Sequence, residues 1–376
     1  MKNSRMIDFV VRSDAHKRHG GDLSQVTNYA KYLQCLGYDV NIQPAASRLQ
    51  LRPGAIAHLF NTARPYELLA AVDSVKNDNA IVISPIHHSL MDFSRMRRGE
   101  VGQGVRSVVG RLPEPIRELM ATTARREALG IDGRRELLRD SIRNIGYLPG
   151  LWARIGRCLD EAHAVFTLSR VEEECLRRET GWQGRNSVRV PNGAPERPIP
   201  ELGWESRSSE LICIGRIEPR KRQLELARIA RDRGIRIKFL GGLNSDVPRY
   251  GQEFEAVVSS TQGLSWRGQC SAEEVGRELG SSRILVNASW AEVQSLVDLE
   301  AIANGCLVYC CLTGSTYEHS PHSTWVYGIH DLELLLVSAW ETSRLDQSPH
   351  RVDPVEYRWT WMDAASALSD EYERLQ

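Results

Sequence analysis

The sequence predicts an α/β protein built from two doubly wound domains, on three observations. Short apolar runs recur along the chain, and most are followed by a polar loop and then a stretch with helical spacing. That alternation builds parallel sheets covered by helices on both faces. The rhythm runs once through the first 190 residues, breaks at the proline- and charge-rich APERPIPELGWESRSSE of 194–210, and then restarts. A length of 376 residues suits two or three domains at roughly 150 residues each. The expected layout is a first domain over 1–192, a linker over 193–209, a second domain over 210–355, and a closing segment over 356–376.

In the first half, MIDFVV (6–11) reads as a strand ending in a polar loop with Gly20 and Gly21. A helix over 23–36 follows, with Val26, Tyr29, Leu33 and Leu36 on one face and Gly37 as its stop. Strands recur at 38–43, 55–60 and 80–84, with a helix near 66–76 between the last two. From 94 to 157 the pattern is helical and the charge changes: fourteen arginines and no lysine stand against seven acidic residues. Two readings stay open there, a solvated helical face or a cationic surface for anionic lipid headgroups. AHAVFTL (162–168) is a further buried strand, and Ser169 with Glu172 fits a capping box for the helix after it. A short strand, SVRV, and the turn Pro191-Asn192-Gly193 close this half.

In the second half, LICIG (211–215), IRIKFLG (235–241), ILVNAS (284–289) and CLVYC (306–310) read as strands, with helices near 221–233, 272–279 and 296–304. In open sheets of this kind ligands bind beyond the carboxyl ends of the strands, which makes the strand-to-helix loops the place to look for chemistry.

Composition narrows the function. Lysine plus arginine equals aspartate plus glutamate at 48 each, and this balance argues against a nucleic-acid binder. No apolar run approaches the length that crosses a bilayer, and the opening apolar stretch is too short for a secretion signal. Eight cysteines without a CxxC pair read as reduced thiols of a cytoplasmic protein, and LVYCC as a buried strand in preference to a metal site. Neither GxGxxG nor GxxxxGK[ST] occurs.

Four groups of residues stand out in the loops. In CIGRIEPRKRQ a strand ends at Gly215, and Arg216 and Lys221 follow before a helix. Cations there suit a diphosphate, arginine as a planar fork and lysine as a compact charge. Arg216, Arg220, Lys221 and Arg222 would oppose the dipole of a helix beginning at 221, and they ask for an anion. In EVQSLVDLE, Glu292 lies in a loop and Glu300 two turns into a helix, with amides near Ser295 and Leu296 at its start. Carboxylates so placed would accept from sugar and ribose hydroxyls. The adjacent glycines Gly20 and Gly21 let backbone approach a ligand closely. His87 and His88 end a strand, where imidazole can meet a substrate hydroxyl near neutral pH.

Taken in order, Gly20-Gly21, the strand-end histidines, Ser169-x-x-Glu172, Pro191-Asn192-Gly193, Gly215-Arg216 with Lys221, and Glu292 with Glu300 resemble the family 4 (group 1) glycosyltransferases of GT-B fold. YRWTWMDAASALSDEYERLQ is similar to the closing helix that in such proteins crosses back onto the first domain. HLFNTARPYELL and IVISPIHHSL are most like members of bacterial polysaccharide assembly. The resemblance spans nearly the whole chain and is weakest across 94–157.

The resemblance implies two Rossmann-like domains facing across a cleft, an acceptor side and a donor side. It implies transfer of a sugar from a nucleotide-diphosphate sugar to a hydroxyl of a glycan or glycolipid, with retention, without a metal and without a further cofactor. By the same carry-over, Arg216 and Lys221 hold the diphosphate, Glu300 the ribose, and Glu292 with the amides around Ser295 and Leu296 the sugar. The Gly20-Gly21 loop closes over the phosphates, His87 or His88 contacts the sugar, and Gly241, Gly242, Arg267 and Gly268 enclose the base. A cytoplasmic site, peripheral at the inner face of the membrane, goes with it. The chain departs from the family where Glu292-Val293-Gln294-Ser295 replaces E-G-F-G and where 313–318 carries one glycine and an extra residue, so neither the sugar nor a role for Glu318 is assigned. A non-catalytic nucleotide-sugar-binding scaffold subunit, a sugar-nucleotide epimerase or a phosphorylase would share this architecture.

Overall fold

A computed structural model describes residues 5–17, 20–46, 49–75, 79–91, 112–129, 134–194, 202–312, 314, 315, 318, 322–324, 326, 328–348 and 359–375. Two compact units emerge, one built from Met1–Leu90, Arg97–Gly193 and Trp361–Gln376, the other from Met91–Met96 and Ala194–Thr360. Of the sequence expectations, residues 195–201 of the linker, 94–111 and 130–133 of the arginine-rich segment, and 356–358 fall outside the described residues.

The first unit is organised by six parallel strands: β1 (Met6–Val11), β2 (Asp39–Pro44), β3 (Ile56–Phe60), β4 (Ile81–Ser84), β5 (Ala164–Thr167) and β6 (Ser187–Arg189). Their order is β2-β1-β3-β4-β5-β6. Apolar side chains on consecutive residues explain why β3 and β5 lie buried along their whole length, as parallel strands covered on both sides must. The chain leaves β1 toward one edge and returns at β3 on the other side, which places a topological switch point between these strands. The helices are α1 (Gly21–Cys35), α2 (Pro65–Ser74), α3 (Glu114–Leu129), α4 (Arg134–Tyr147), α5 (Leu151–Glu161) and α6 (Arg170–Thr180).

The N-terminus of α6 corrects one expectation. Ser169 caps it, its Oγ accepting from the Glu172 amide at 3.1 Å. The Glu172 carboxylate does not close the box, however; it accepts from the amides of Leu168 at 2.6 Å and His87 at 2.7 Å. A local cap thus becomes a tie between α6 and the loop after β4.

The second unit repeats the plan with β7 (Leu211–Ile214), β8 (Ile237–Leu240), β9 (Leu264–Trp266), β10 (Ile284–Asn287), β11 (Leu307–Cys311) and β12 (His322–Thr324), in the order β12-β11-β10-β7-β8-β9. Side chains alternate faces along each strand. Leu211, Cys213, Ile284, Val286, Tyr309 and Cys311 join one buried cluster, while Ile212, Leu285, Val308 and Cys310 join the other. Cys310 and Cys311 therefore point to opposite faces as small core residues. Around the sheet lie α7 (Gln223–Arg233), α8 (Pro248–Ser259), α9 (Ala272–Ser281), α10 (Leu296–Ala303) and α11 (Ile329–Ser343).

The last helix, α12 (Trp361–Arg374), belongs to the first unit. Trp361, Ala364, Ala365, Leu368 and Tyr372 are its buried stripe. Tyr372 Oη meets His58 Nδ1 at 2.6 Å, and His58 Nε2 meets Ser84 Oγ at 2.8 Å. Burial holds the His58 imidazole down at about 3, so it stays neutral and serves as a link between β3, β4 and α12. Among the described residues no helix is long and apolar enough to cross a membrane.

Candidate functional site

In the second sheet the switch point falls between β7 and β10, and the two loops that leave it carry Arg216 to Lys221 and Glu292. The loop after β7 is shaped by one close approach. Gly241, at the end of β8, has φ of 135°, and a Cβ there would lie 2.1 Å from the Gly215 carbonyl oxygen. The two strand ends can touch only because Gly241 has no side chain.

The helix expected from 221 begins later. Pro219–Lys221 form a single 3-10 turn, Arg222 takes a left-handed φ of 58°, and α7 starts at Gln223 with Glu225 in its first turn. The four cations thus precede the helix instead of occupying its first turn, and the conflict with the dipole is largely relieved. Gln223 braces the turn, donating to the Arg216 carbonyl at 2.9 Å and accepting from the Glu218 amide at 3.3 Å.

Cations and carboxylates then alternate across the crevice. Arg216 donates to Glu218 at 2.9 Å, and Arg220 donates to the other oxygen of Glu218 at 3.1 Å. Arg220 also reaches Glu292 Oε1 at 3.3 Å, and the Lys221 ammonium pairs with that same oxygen. Glu218 takes a further bond from Asn244 at 3.0 Å. Burial on its own would raise the Glu292 carboxyl, but Lys221 and Arg220 outweigh it and hold it down at about 2. Glu218 is lowered for the same reason, burial being overcome by Arg220 and Arg216. Among these side chains three cations alternate with two carboxylates at a strand edge. Arg216, with 42 % of its side chain exposed, is the open end of the series.

The loop after β10 is clamped to the cationic turn. The Trp290 amide donates to the Arg220 carbonyl at 2.9 Å, and Arg220 returns a bond to the Ala291 carbonyl at 2.8 Å. The Arg222 guanidinium lies 4.0 Å from the centre of the Trp290 ring. Behind Glu292, Gly314 (φ 76°) packs so closely that a Cβ would fall 2.6 Å from the Glu292 carbonyl oxygen.

Ser295 precedes α10 as its N-cap residue without a side-chain cap, so the first amides of α10, from Leu296 on, have no partner from within the helix. Asn287 bonds Ser295 Oγ at 3.2 Å and the buried Asp298 carboxylate at 2.9 Å. Glu300 stands apart from the cation series. Burial and the neighbouring Asp298 push its carboxyl up to about 7.

Gly241 accepts the Trp266 indole at 2.8 Å and its amide meets the Gly268 carbonyl at 2.7 Å, while Gly242 accepts the Ile217 amide at 2.9 Å. These glycines therefore share one edge with the cationic turn. Arg267 turns away to an exposed pairing with Glu278 at 2.5 Å. In the first unit, Gly20 and Gly21 open α1 beside an ion pair, Arg12 with Asp22 at 2.5 Å, and Asn61 adds a bond to Asp22 at 3.2 Å.

His87 is packed inside the first unit. Its Nδ1 meets Thr62 Oγ1 at 2.8 Å, its Nε2 meets Glu179 at 2.8 Å, and its side chain is 1 % exposed. Both ring nitrogens therefore have partners within the first unit, and the ring ties the loop after β4 to α6. His88 is half-buried. Sequence reasoning missed Glu218, Trp290, Asn244 and Glu179, and read Glu172 as a local cap only. For Glu218 the signal was available, an acid flanked at two residues on either side by arginine. Among the described residues no cluster of three or more histidine, cysteine, aspartate or glutamate side chains is arranged to hold a metal ion.

No family model and no curated protein matches this sequence. Solved structures do match in fold. Sucrose-phosphate synthase from Thermosynechococcus elongatus superposes with a TM-score of 0.68 at 12% identity, covering 99% of both chains. HepE from Anabaena, in complex with UDP and glucose, gives 0.61 at 11% identity and 99% of both chains. The catalytic domain of starch synthase IV from Arabidopsis thaliana, bound to ADP and acarbose, gives 0.57 at 12% identity and 98% of both chains. Two parallel six-stranded sheets with flanking helices, matched over essentially the full length, give this chain the GT-B fold of those glycosyltransferases.

Proposed function

We propose that this protein is a glycosyltransferase that moves a sugar from a nucleotide-diphosphate sugar to an acceptor hydroxyl, retaining the anomeric configuration, in bacterial polysaccharide or glycolipid assembly. The observation that carries the reading is the alternating series Arg216–Glu218–Arg220–Glu292–Lys221 at the switch point of the second sheet. Similarity in fold to proteins solved with UDP and glucose, and with ADP and acarbose, supports the nucleotide-sugar class.

The chemistry follows from the charges. Cleaving the sugar–phosphate bond builds negative charge on the diphosphate and positive charge on the sugar. A diphosphate entering the turn competes with Glu218 and Glu292 for Arg216, Arg220 and Lys221. The cations are already held in place by their carboxylates, so little reorganisation is needed when the leaving group becomes fully charged. Glu292, kept ionised, then accepts from donor-sugar hydroxyls. A non-bridging oxygen of the departing phosphate takes the acceptor proton as the new glycosidic bond forms on the face the diphosphate leaves. This route assigns no step to a metal, because fixed cations answer the developing charge, and no covalent intermediate on a carboxylate.

The test is a thermal-shift and turnover screen against UDP-, GDP-, ADP- and dTDP-sugars. One nucleotide class should stabilise the protein and one sugar nucleotide should be consumed, with Lys221→Ala and Glu292→Ala abolishing turnover in folded protein. Stabilisation without turnover across the panel would favour a non-catalytic nucleotide-sugar-binding subunit. Unchanged turnover in both variants would overturn the site.

A further inference from the structure

Arg222 occupies a position that stability alone would not give to arginine. Its φ of 58° is one that glycine adopts freely and that few other residues take. The residue is 2 % exposed, and Nε and Nη1 of its guanidinium have no hydrogen-bond partner among the described residues. A buried cation with unmade bonds costs stability, as does a left-handed backbone. In return the side chain makes two contacts. Nη2 donates to the carbonyl of Gly328, the residue before α11, at 3.3 Å, and the guanidinium stacks 4.0 Å from the centre of the half-buried Trp290 ring. Unlike the exposed Arg216, Arg222 is turned inward and away from an incoming anion.

Three consecutive cations hold the loop after β10, each in its own way. Arg220 bonds the Ala291 carbonyl and Glu292, Lys221 pairs with Glu292, and Arg222 carries the Trp290 ring. A diphosphate competes for the first two, because its charge outbids a carbonyl and rivals a carboxylate. Their grip on the loop weakens at the moment Glu292 is needed, and the bond from the Trp290 amide to the Arg220 carbonyl remains as a pivot. The stack of Arg222 on Trp290 is out of water and has an uncharged partner, so an anion does not displace it. We infer that Arg222 is a positioning residue: through the Trp290 ring it keeps Glu292 in register while the diphosphate takes over Arg220 and Lys221. The inference rests on the proposed transfer reaction for what Glu292 does, and on the stack for how it is held.

Arg222→Gly isolates the side chain, since glycine keeps the left-handed turn. Hydrogen exchange of the loop over 288–296, in the full chain with and without inorganic pyrophosphate, reads the first consequence. The wild-type loop should stay protected when pyrophosphate is added, whereas in the variant its exchange should quicken about tenfold, the ordinary worth of a desolvated stack of this kind. Turnover of the sugar nucleotide should show kcat lowered about tenfold, with Kd for the nucleoside diphosphate alone within about twofold of wild type. Arg222→Lys, which keeps the charge and loses the planar face, should fall between the two. Trp290→Leu removes the ring from the other side and carries the same expectation if the glycine variant does not fold. A purely structural stack would lower Tm and leave loop exchange under pyrophosphate and kcat as in wild type, and that result overturns the inference. A wild-type protein that consumes no sugar nucleotide counts against the proposed function, while the pyrophosphate measurement still decides the role of Arg222.

Discussion

Lys221 and Glu292, 71 residues apart in sequence, form an ion pair that joins the loops leaving β7 and β10. The pair is nearly out of water, with side-chain exposures of 14 % and 12 %. Its partners are therefore set by the fold and weakly screened by salt, and Arg220 shares the same carboxylate oxygen.

Acid should loosen the second unit through Glu292. Its carboxyl sits at about 2 against an ordinary 4.5, so the stabilisation it contributes is complete above pH 4.5 and is lost as pH falls toward 2. Up to roughly 3 kcal/mol is at stake. Glu292→Gln should lower Tm at pH 7, leaving two cations short of a partner, and should flatten the decline between pH 5 and pH 3, as followed by differential scanning calorimetry.

Arg216 offers a cleaner test of anion binding because it is the most exposed of the series. Arg216→Ala should leave the stability within about 0.5 kcal/mol of wild type. Its Kd for the nucleoside diphosphate found in the screen should rise about tenfold or more, the ordinary worth of a charge-assisted hydrogen bond. Urea unfolding reads the first, and isothermal titration at two salt concentrations the second.

His87→Ala should behave as a packing mutation. Thr62 and Glu179 lose their common partner, and stability should fall by about 2–3 kcal/mol, while the His87 amide still donates to Glu172. At a temperature where the variant remains folded, nucleotide affinity should be unchanged. A loss of turnover without loss of stability would return this histidine to the reacting centre.

Gly241→Ala would drive a methyl group into the Gly215 carbonyl oxygen. The strand ends must part, and both Tm and nucleotide binding should fall together, since the cationic turn begins at that contact.

His58 should make the first unit acid-sensitive at milder pH. Its folded value of about 3 lies below the ordinary 6.5, so the unfolded chain binds a proton that the folded one refuses. Stability should decline by about 1.4 kcal/mol per pH unit below pH 6. His58→Gln should remove that slope, and Tyr372→Phe should cost about 1–3 kcal/mol by leaving a buried imidazole nitrogen without its hydroxyl. Urea unfolding from pH 7 to pH 4 measures both.

The architecture was legible because parallel strands buried on both faces read as continuous apolar runs, as in IAHLF and LVYCC. β9 and β12, three residues each, carry too little pattern to register, and α8, between two strands that were read, and α11, after the last of them, passed unremarked. Within the site, Arg216, Lys221 and Glu292 were legible from their place at strand ends. What stayed hidden were relations across the chain. Nothing local tells that Glu179, 92 residues beyond His87, closes on its ring, or that Arg222 stacks on Trp290. The helix start at Gln223 was misplaced because a left-handed arginine is a rare way to enter a helix.

The placement of α12 has a consequence for how the polypeptide is made. Tyr29, Tyr38 and His58 emerge early from the ribosome, yet the Trp361, Ser369 and Tyr372 side chains that cover them come more than 300 residues later. The second unit carries its whole sheet between Ala194 and Thr360 and can complete it first. The first unit can therefore close only once residues 361–374 have been made, and until then the apolar surface that α12 covers stays open.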